Sequence, residues 1–313
     1  MKKLLCGGIS TCDVYVTGAK SLPEPNTAQE VDRIFFQVGG GAANAMIDYC
    51  KLGGACTLCI RVGRDHAGRV ILDSLAPYAN RMALSVAYDD GPTAITIALT
   101  GDRDRSFLAA LGTTLKFCPE DIPDRALRES DLVYLSGVCL MHGFDCPGLT
   151  EFLCRCRALG KATIVDTAPD MRNVWLPTIE EALPYIDYFI PSQAEAEALT
   201  GLTDADAMMD FFAARGSGTV VLKWGARGVY LRTADDRRQW VPGFRVPAAD
   251  TTGAGDSFCA GFCYGLAKEW DLLRSVIFGN AVGAFCVSQM GASAGIPPEA
   301  QVLRFIRGNN GTF

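Results

Sequence analysis

Histidine is nearly missing from this chain of 313 residues: His66 and His142 are the only two. That leaves little material for a serine–histidine hydrolase or a histidine-rich metal centre. There is one CxxC, Cys56-Thr57-Leu58-Cys59, and no second. It lies in an apparent strand, where an offset of three points the thiols to opposite faces, so no zinc site is expected. No run of about 18 apolar residues occurs, so no membrane span is predicted. The opening Met1–Gly8 has too short an apolar run for a signal peptide and reads as a buried first strand. Basic charge is not in excess: 29 Lys and Arg against 35 Asp and Glu give a net charge of −6. That argues against a nucleic-acid scaffold, while an acidic protein can still hold an anion in a local basic pocket. The Walker A pattern is absent, which sets aside a P-loop enzyme. No internal repeat, low-complexity tract or long linker is present.

What is present is apolar and glycine-rich. Hydrophobic residues make up 49% of the chain and charged residues 20%, which fits a substantial core with few disordered tails. The 13 cysteines, such as Cys6, Cys139, Cys263 and Cys286, sit among apolar neighbours. Free cysteine behaves as a small buried hydrophobe, and such a set fits a reducing cytoplasm. Strand-like runs (Leu4–Ile9, Cys56–Val62, Leu132–Leu135, Ala162–Val165, Tyr188–Ile190, Thr219–Leu222) alternate with helix-like ones (Ala42–Leu52, Ala67–Ala76, Gly148–Leu159, Gln193–Leu199). This rhythm predicts an α/β fold, a doubly wound and mostly parallel sheet with helices on both faces. Two long helices, about Ala254–Lys268 and Leu272–Gln289, are expected to close the chain. Extended patterns at 14–17 and 31–38, and a hairpin over 93–110 turning at Gly101–Asp104, break the rhythm. They read either as a small separate β-sheet over the main one, a discontinuous lid from about 14–38 and 93–110 of a single 1–313 domain, or as extra edge strands of the large sheet.

The densest chemistry lies in Asp250-Thr251-Thr252-Gly253-Ala254-Gly255-Asp256-Ser257-Phe258. Phe258, Phe262 and Leu266 recur at helical spacing, so a helix is expected to begin near Gly255. A helix start leaves N–H groups without partners, and its dipole makes that end positive. Gly253 and Gly255 carry no side chain to keep a phosphate away. With Ala254 they form an anion cradle, and Asp256 stands beside it as a candidate base. Such a pair suits phosphoryl transfer to an alcohol. The competing reading is a plain glycine turn with an acidic residue at a helix start.

This string resembles the C-terminal signature of the ribokinase-like (PfkB) carbohydrate kinase family, and Gly39-Gly40-Gly41-Ala42-Ala43-Asn44 resembles its N-terminal one. The likeness spans nearly the whole chain. It implies ATP and Mg²⁺ as donor and metal, a small sugar as acceptor, and a lid that often mediates dimer contacts. On it, Asp13, Gly40 and Asn44, with the neighbouring Gly39, match sugar-contacting positions. From the residues alone, helix capping for Asn44 and a turn role for Asp13 stay open. Asp13 is expected in a loop after the first strand, at the sheet's carboxyl edge. Lys223-Trp224-Gly225-Ala226-Arg227-Gly228 resembles the segment lining the nucleotide, where Lys223 can pair with a phosphate or stand as a solvated hairpin lysine. The helix and loop Ala281–Gln289 and Gly291-Ala292 resemble the adenine border, with Asn280 its polar candidate.

Two departures stand out. Ser192 replaces the asparagine that many relatives place before Glu195, the carboxylate implied to position magnesium through water. Ser192 and Glu195 also have the spacing of a helix capping box. Asp166-Thr167-Ala168-Pro169 lacks the asparagine of some sugar kinases. The GxSxG of Gly291–Gly295 follows a helix rather than a strand, so it does not read as a hydrolase elbow. By resemblance that loop, with Asp250, Thr252 and Gly291, forms a potassium site. Arg105, near the lid, can hold an acidic group on a substrate. The reading that results is a kinase of a small sugar or sugar acid. A nucleoside kinase of the same fold, with Phe35, Phe36 and Phe107 as stacking faces, and a non-catalytic sugar- or nucleotide-binding regulator are the alternatives.

Overall fold

A computed structural model describes residues 1–19, 22, 23, 25–100 and 105–309; of Thr100 and Arg105 it describes the backbone alone. Among the described residues thirteen strands run in chain order: β1 Leu4–Gly8, β2 Thr11–Thr17, β3 Arg33–Gly39, β4 Cys56–Gly63, β5 Met82–Asp89, β6 Ile95–Thr100, β7 Arg105–Ala110, β8 Leu132–Val138, β9 Ala162–Thr167, β10 Tyr188–Phe189, β11 Thr219–Lys223, β12 Gly228–Arg232 and β13 Arg238–Pro242. The α-helices are α1 Gly41–Leu52, α2 His66–Leu75, α3 Asp124–Glu129, α4 Gly148–Ala158, α5 Gln193–Thr200, α6 Ala205–Ala214, α7 Ala254–Ala267, α8 Leu272–Val287 and α9 Glu299–Gly308.

Nine strands form the main sheet in the order β13-β12-β11-β10-β9-β8-β1-β4-β5. The run from β11 to β5 is parallel, and β12 and β13 add an antiparallel edge. Parallel strands covered on both faces read as continuous apolar runs, and β1 and β8 are buried at every residue. Alternate side chains feed two cores. Leu4 and Cys6 of β1 face one, with α1, α7 and α8, while Leu5 faces the other, with α4, α5 and α6. Cys56 and Cys59 divide between the same two cores, as the three-residue offset requires. After β1 the chain builds outward through β4 and β5, then returns to β8 and builds the other way. That reversal between β1 and β8 opens a crevice at the strands' carboxyl ends, the usual ligand position of such sheets.

The second sheet has four strands in the order β3-β2-β6-β7. It is a separate sheet, so the edge-strand reading is excluded. Strands β2, β3 and β6 start two or three residues from the expected bounds, β7 coincides with the second arm of the expected hairpin, and the hairpin tip Gly101–Asp104 lies outside the described residues. Asp13 lies within β2, paired in register with Gln37 of β3, instead of in a loop after the first strand. The two long closing helices are α7 and α8, and a shorter amphipathic one, α9, follows them with Val302 and Ile306 buried. Among the described residues, no helix is long and apolar enough to cross a membrane.

Candidate active site

The start of α7 is set by Gly253, whose φ of 77° is a left-handed conformation that costs any residue with a Cβ. A Cβ there would also lie 2.5 Å from Ala292 O. No side chain caps this helix start, and Ala254 N–H reaches back to Thr251 O at 3.3 Å. Asp256, in the first turn, is half-buried, and its Oδ2 accepts a 2.9 Å hydrogen bond from Asn44 Nδ2 on α1. Burial raises the Asp256 pKa, while the Asn44 bond and the nearby Lys223 ammonium work to lower it. Asn44, expected to face a diol, thus has its amide nitrogen on the carboxylate.

Gly41 opens α1 against the same place. A Cβ on it would run into Ser136 Oγ and lie 3.2 Å from Asp256 Oδ1. Gly40, at φ 86°, packs against the Ile9 carbonyl, and the Asp13 carboxylate covers Gly39. Asp13 Oδ1 accepts from Thr11 Oγ1 at 2.6 Å. Burial pushes the Asp13 pKa up to about 6, the Thr11 bond opposing and the Asp256 charge adding. Asp13, Asn44 and Asp256 therefore gather from a strand of the small sheet and two helices into one polar corner. Ser136, at the carboxyl end of β8, belongs to it and was not foreseen. The Ser136-Gly137 pair near the end of the otherwise largely apolar β8 is the available signal.

The neighbouring cleft holds about 950 Å³, and Ser192, Glu195, Lys223, Gly225, Gly228 and Asn280 all line it, beside Asp256. Lys223, expected to face a phosphate or water, is paired with Asp166 Oδ1 at 2.6 Å, both side chains largely buried. Burial works to lower the lysine's pKa, and Asp166, Cys259 and Glu195 together outweigh it, so the ammonium titrates above an ordinary lysine. Its Nζ lies 3.4 Å from where a Cβ on Gly255 would stand, so a fixed positive charge adjoins the α7 start. Ser192 caps α5: its Oγ accepts from Glu195 N at 3.4 Å, and Glu195 Oε2 accepts from Ser192 N at 2.8 Å. Glu195 Oε2 also takes the Thr167 hydroxyl at 2.8 Å. The capping reading of Ser192 holds, and Glu195 remains a buried carboxylate in the cleft wall. Asn280 directs Nδ2 to Val241 O and Pro242 O, both at 3.2 Å, bracing the end of β13 as well as lining the cleft. Gly228 is needed for strand packing, since a Cβ there would strike Val241 O.

Asp250 is buried at 3% exposure, with Oδ1 accepting from Thr252 N at 2.7 Å and Oδ2 from Gly291 N at 2.8 Å. The three residues expected around a potassium ion are thus adjacent. Thr252 O and Ala292 O converge on Cys286 Sγ at 3.3 and 3.2 Å. Among the described residues, no cluster of three His, Cys, Asp or Glu suits a transition metal. The Arg105 side chain lies outside the described part of the structure. Of the aromatics on the small sheet, Phe35 stacks on Tyr15 with centroids 5.2 Å apart, while Phe36 and Phe107 are exposed.

A parallel sheet with a crevice at its switch point, a helix start without a side-chain cap and an adjoining carboxylate suits the binding of an anion beside a base in a doubly wound α/β fold. Residues 1–299 match the pfkB family carbohydrate kinase, and the chain belongs to that family. It is 26% identical over 276 residues to a ribokinase of Haemophilus influenzae, covering 86% of this chain and 87% of that one. It is 27% identical over 310 residues to a nucleoside kinase of Methanothermobacter thermautotrophicus, covering 97% and 95%. In structure it is similar to an Arabidopsis thaliana ribokinase complexed with ribose and ATP, with a TM-score of 0.83 and 22% identity over 98% of this chain and 99% of that one. The protein is a carbohydrate kinase that transfers phosphate to a hydroxyl.

Proposed function

We propose that the protein transfers the γ-phosphate of ATP to a hydroxyl of a small sugar or sugar acid. The observation that carries this reading is the Asn44–Asp256 hydrogen bond, which fixes a carboxylate at the mouth of the α7 amides, inside the cleft. The acceptor sits under the lid sheet against Asp13, Asn44 and the Gly39–Gly41 turn. Asp256 takes the hydroxyl proton through Oδ1, the oxygen that Asn44 does not hold. The acceptor oxygen bonds the γ-phosphorus as the bond to the bridging oxygen breaks, and ADP leaves. A loose transition state lets the proton depart late, so an aspartate suffices as base. Amides of Gly253, Ala254 and Gly255 and the Lys223 ammonium stabilise the charge on the moving phosphoryl group. Magnesium, a hard ion that favours oxygen donors, would neutralise nucleotide phosphates when bound, with Glu195 and Asp166 the carboxylates at hand. The Thr252 and Ala292 carbonyls and Asp250 are the oxygen set for a potassium ion.

Asp256→Asn tests the base. Turnover is expected to fall by about a hundredfold to ten-thousandfold with unchanged thermal unfolding. Near-normal turnover would remove Asp256 from this role. ADP release across sugars, sugar acids, polyols and nucleosides, with and without potassium, identifies the acceptor class. A preference for nucleosides would favour the second reading, which the similar nucleoside kinase and the exposed Phe36 and Phe107 support. The exposed Ile34, Phe36, Phe107 and Leu108 on the lid sheet also support a homodimer through that sheet, to be checked by sedimentation. The thirteen free cysteines support a reducing cytoplasm.

A further inference from the structure

Behind the proposed base lies a second carboxyl for which the transfer chemistry has no use. Asp48, one turn along α1 from Asn44, is 0% exposed. Its Oδ2 accepts the Ser257 hydroxyl at 2.6 Å, and Ser257, also fully buried, directly follows Asp256 in α7. The buried Ser293 hydroxyl lies beside the same carboxyl as a second, weaker side-chain partner. Lys51, a turn further along α1, places its ammonium on the Ser293 carbonyl. The same loop donates Gly291 N–H to Asp250 and packs Ala292 against Gly253.

Burying a carboxyl costs several kcal/mol unless it is well satisfied, and its apolar neighbours one turn either way along α1, Ala45 and Leu52, are themselves buried. An apolar residue would fill that space more cheaply. The carboxyl is explained by what it joins: α1, the first turn of α7 and the Gly291–Gly295 loop. We propose that Asp48 is a positioning residue, holding Ser257 and the Ser293 loop so that the α7 amides and Asp256 keep their place relative to α1. The proposal rests on the kinase reading for its catalytic consequence, but the positioning itself is a property of the free protein.

Four variants test it: Asp48→Leu and Ser257→Ala, which delete the bond, and Asp48→Asn and Ser257→Thr, which keep an acceptor and a hydroxyl. Peptides covering residues 250–257 of the intact protein without ligands are followed by amide hydrogen exchange. In both deletion variants this segment is expected to exchange at least about tenfold faster than in the native chain, with β8 and β9 unchanged. Asp48→Asn and Ser257→Thr should stay close to native. With an acceptor found by ADP release, the deletion variants should lose at least about tenfold in kcat and change KM for that acceptor far less. Native exchange and native kcat in folded Ser257→Ala overturn the proposal, even if Asp48→Leu fails to fold. If the native protein phosphorylates nothing in the panel, the kinase reading falls, and the exchange data alone decide on Asp48.

Discussion

Replacing Asn44 by alanine separates two roles that the structure gives one side chain. The amide bonds Asp256 Oδ2 at 2.9 Å, and a donor on a carboxylate favours its ionised form. A hydrogen bond to a charged group contributes about 1.5–3 kcal/mol, and about 1.4 kcal/mol corresponds to a tenfold change in proton affinity. Burial already holds Asp256 above the ordinary carboxylate range, so losing the donor moves it further up. A base works only when ionised, so the rate falls on the acid side of its pKa. The acid limb of kcat/KM in Asn44→Ala should therefore move to higher pH by about one unit, the lower end of this range, because Asp256 is only half-buried. The assay is ADP release from pH 5 to 9 at fixed ionic strength. If Asn44 only binds acceptor, kcat/KM falls equally at every pH and the limb stays where it was. That result would refute the link between Asn44 and the base.

Other outcomes follow from the same geometry. Lys223→Met leaves Asp166 buried without its partner and should cost about 3 kcal/mol in urea unfolding; adding Asp166→Asn should recover part of it, and an unchanged midpoint would show the pair to be idle. Gly253→Ala forces a Cβ into a left-handed residue and against Ala292, so beyond about 1–2 kcal/mol of backbone strain it should displace the α7 start and depress kcat. Burial pushes the Asp48 pKa up to about 7, the Ser257 bond opposing, above the unfolded value near 4. Folding then favours the protonated form, so the native chain should gain stability over Asp48→Asn as pH falls from 8 to 5; parallel melting curves for the two would contradict this.

The glycine turn, the carboxylate after it and the helix beyond are local features, and residues 250–258 carry them openly. The alternation of the large sheet was equally legible, because parallel strands write themselves as apolar runs. Pairings between distant segments were not. Nothing near Lys223 announces that Asp166, 57 residues earlier, takes its charge. Asp13 reads as a loop residue because it follows the first strand at the sheet's carboxyl edge, whereas the chain enters a second strand, the half-exposed β2, only three residues after β1. Strand β5, at the sheet edge, is mostly exposed or half-exposed and so lacks the apolar run that marked its neighbours. Helix α9 buries Val302 and Ile306 and packs Leu303 and Phe305 partly buried beside them, but it is shorter than the two helices before it and follows Pro297-Pro298.

Asn44 and Asp256 are 212 residues apart, and Asp48 and Ser257 are 209 apart. During synthesis, the half that would cradle a sugar leaves the ribosome well before the half that would hold the phosphate exists. On the proposed chemistry, a nascent chain would lack both the base and the anion cradle until residues 253–256 had emerged and docked on α1.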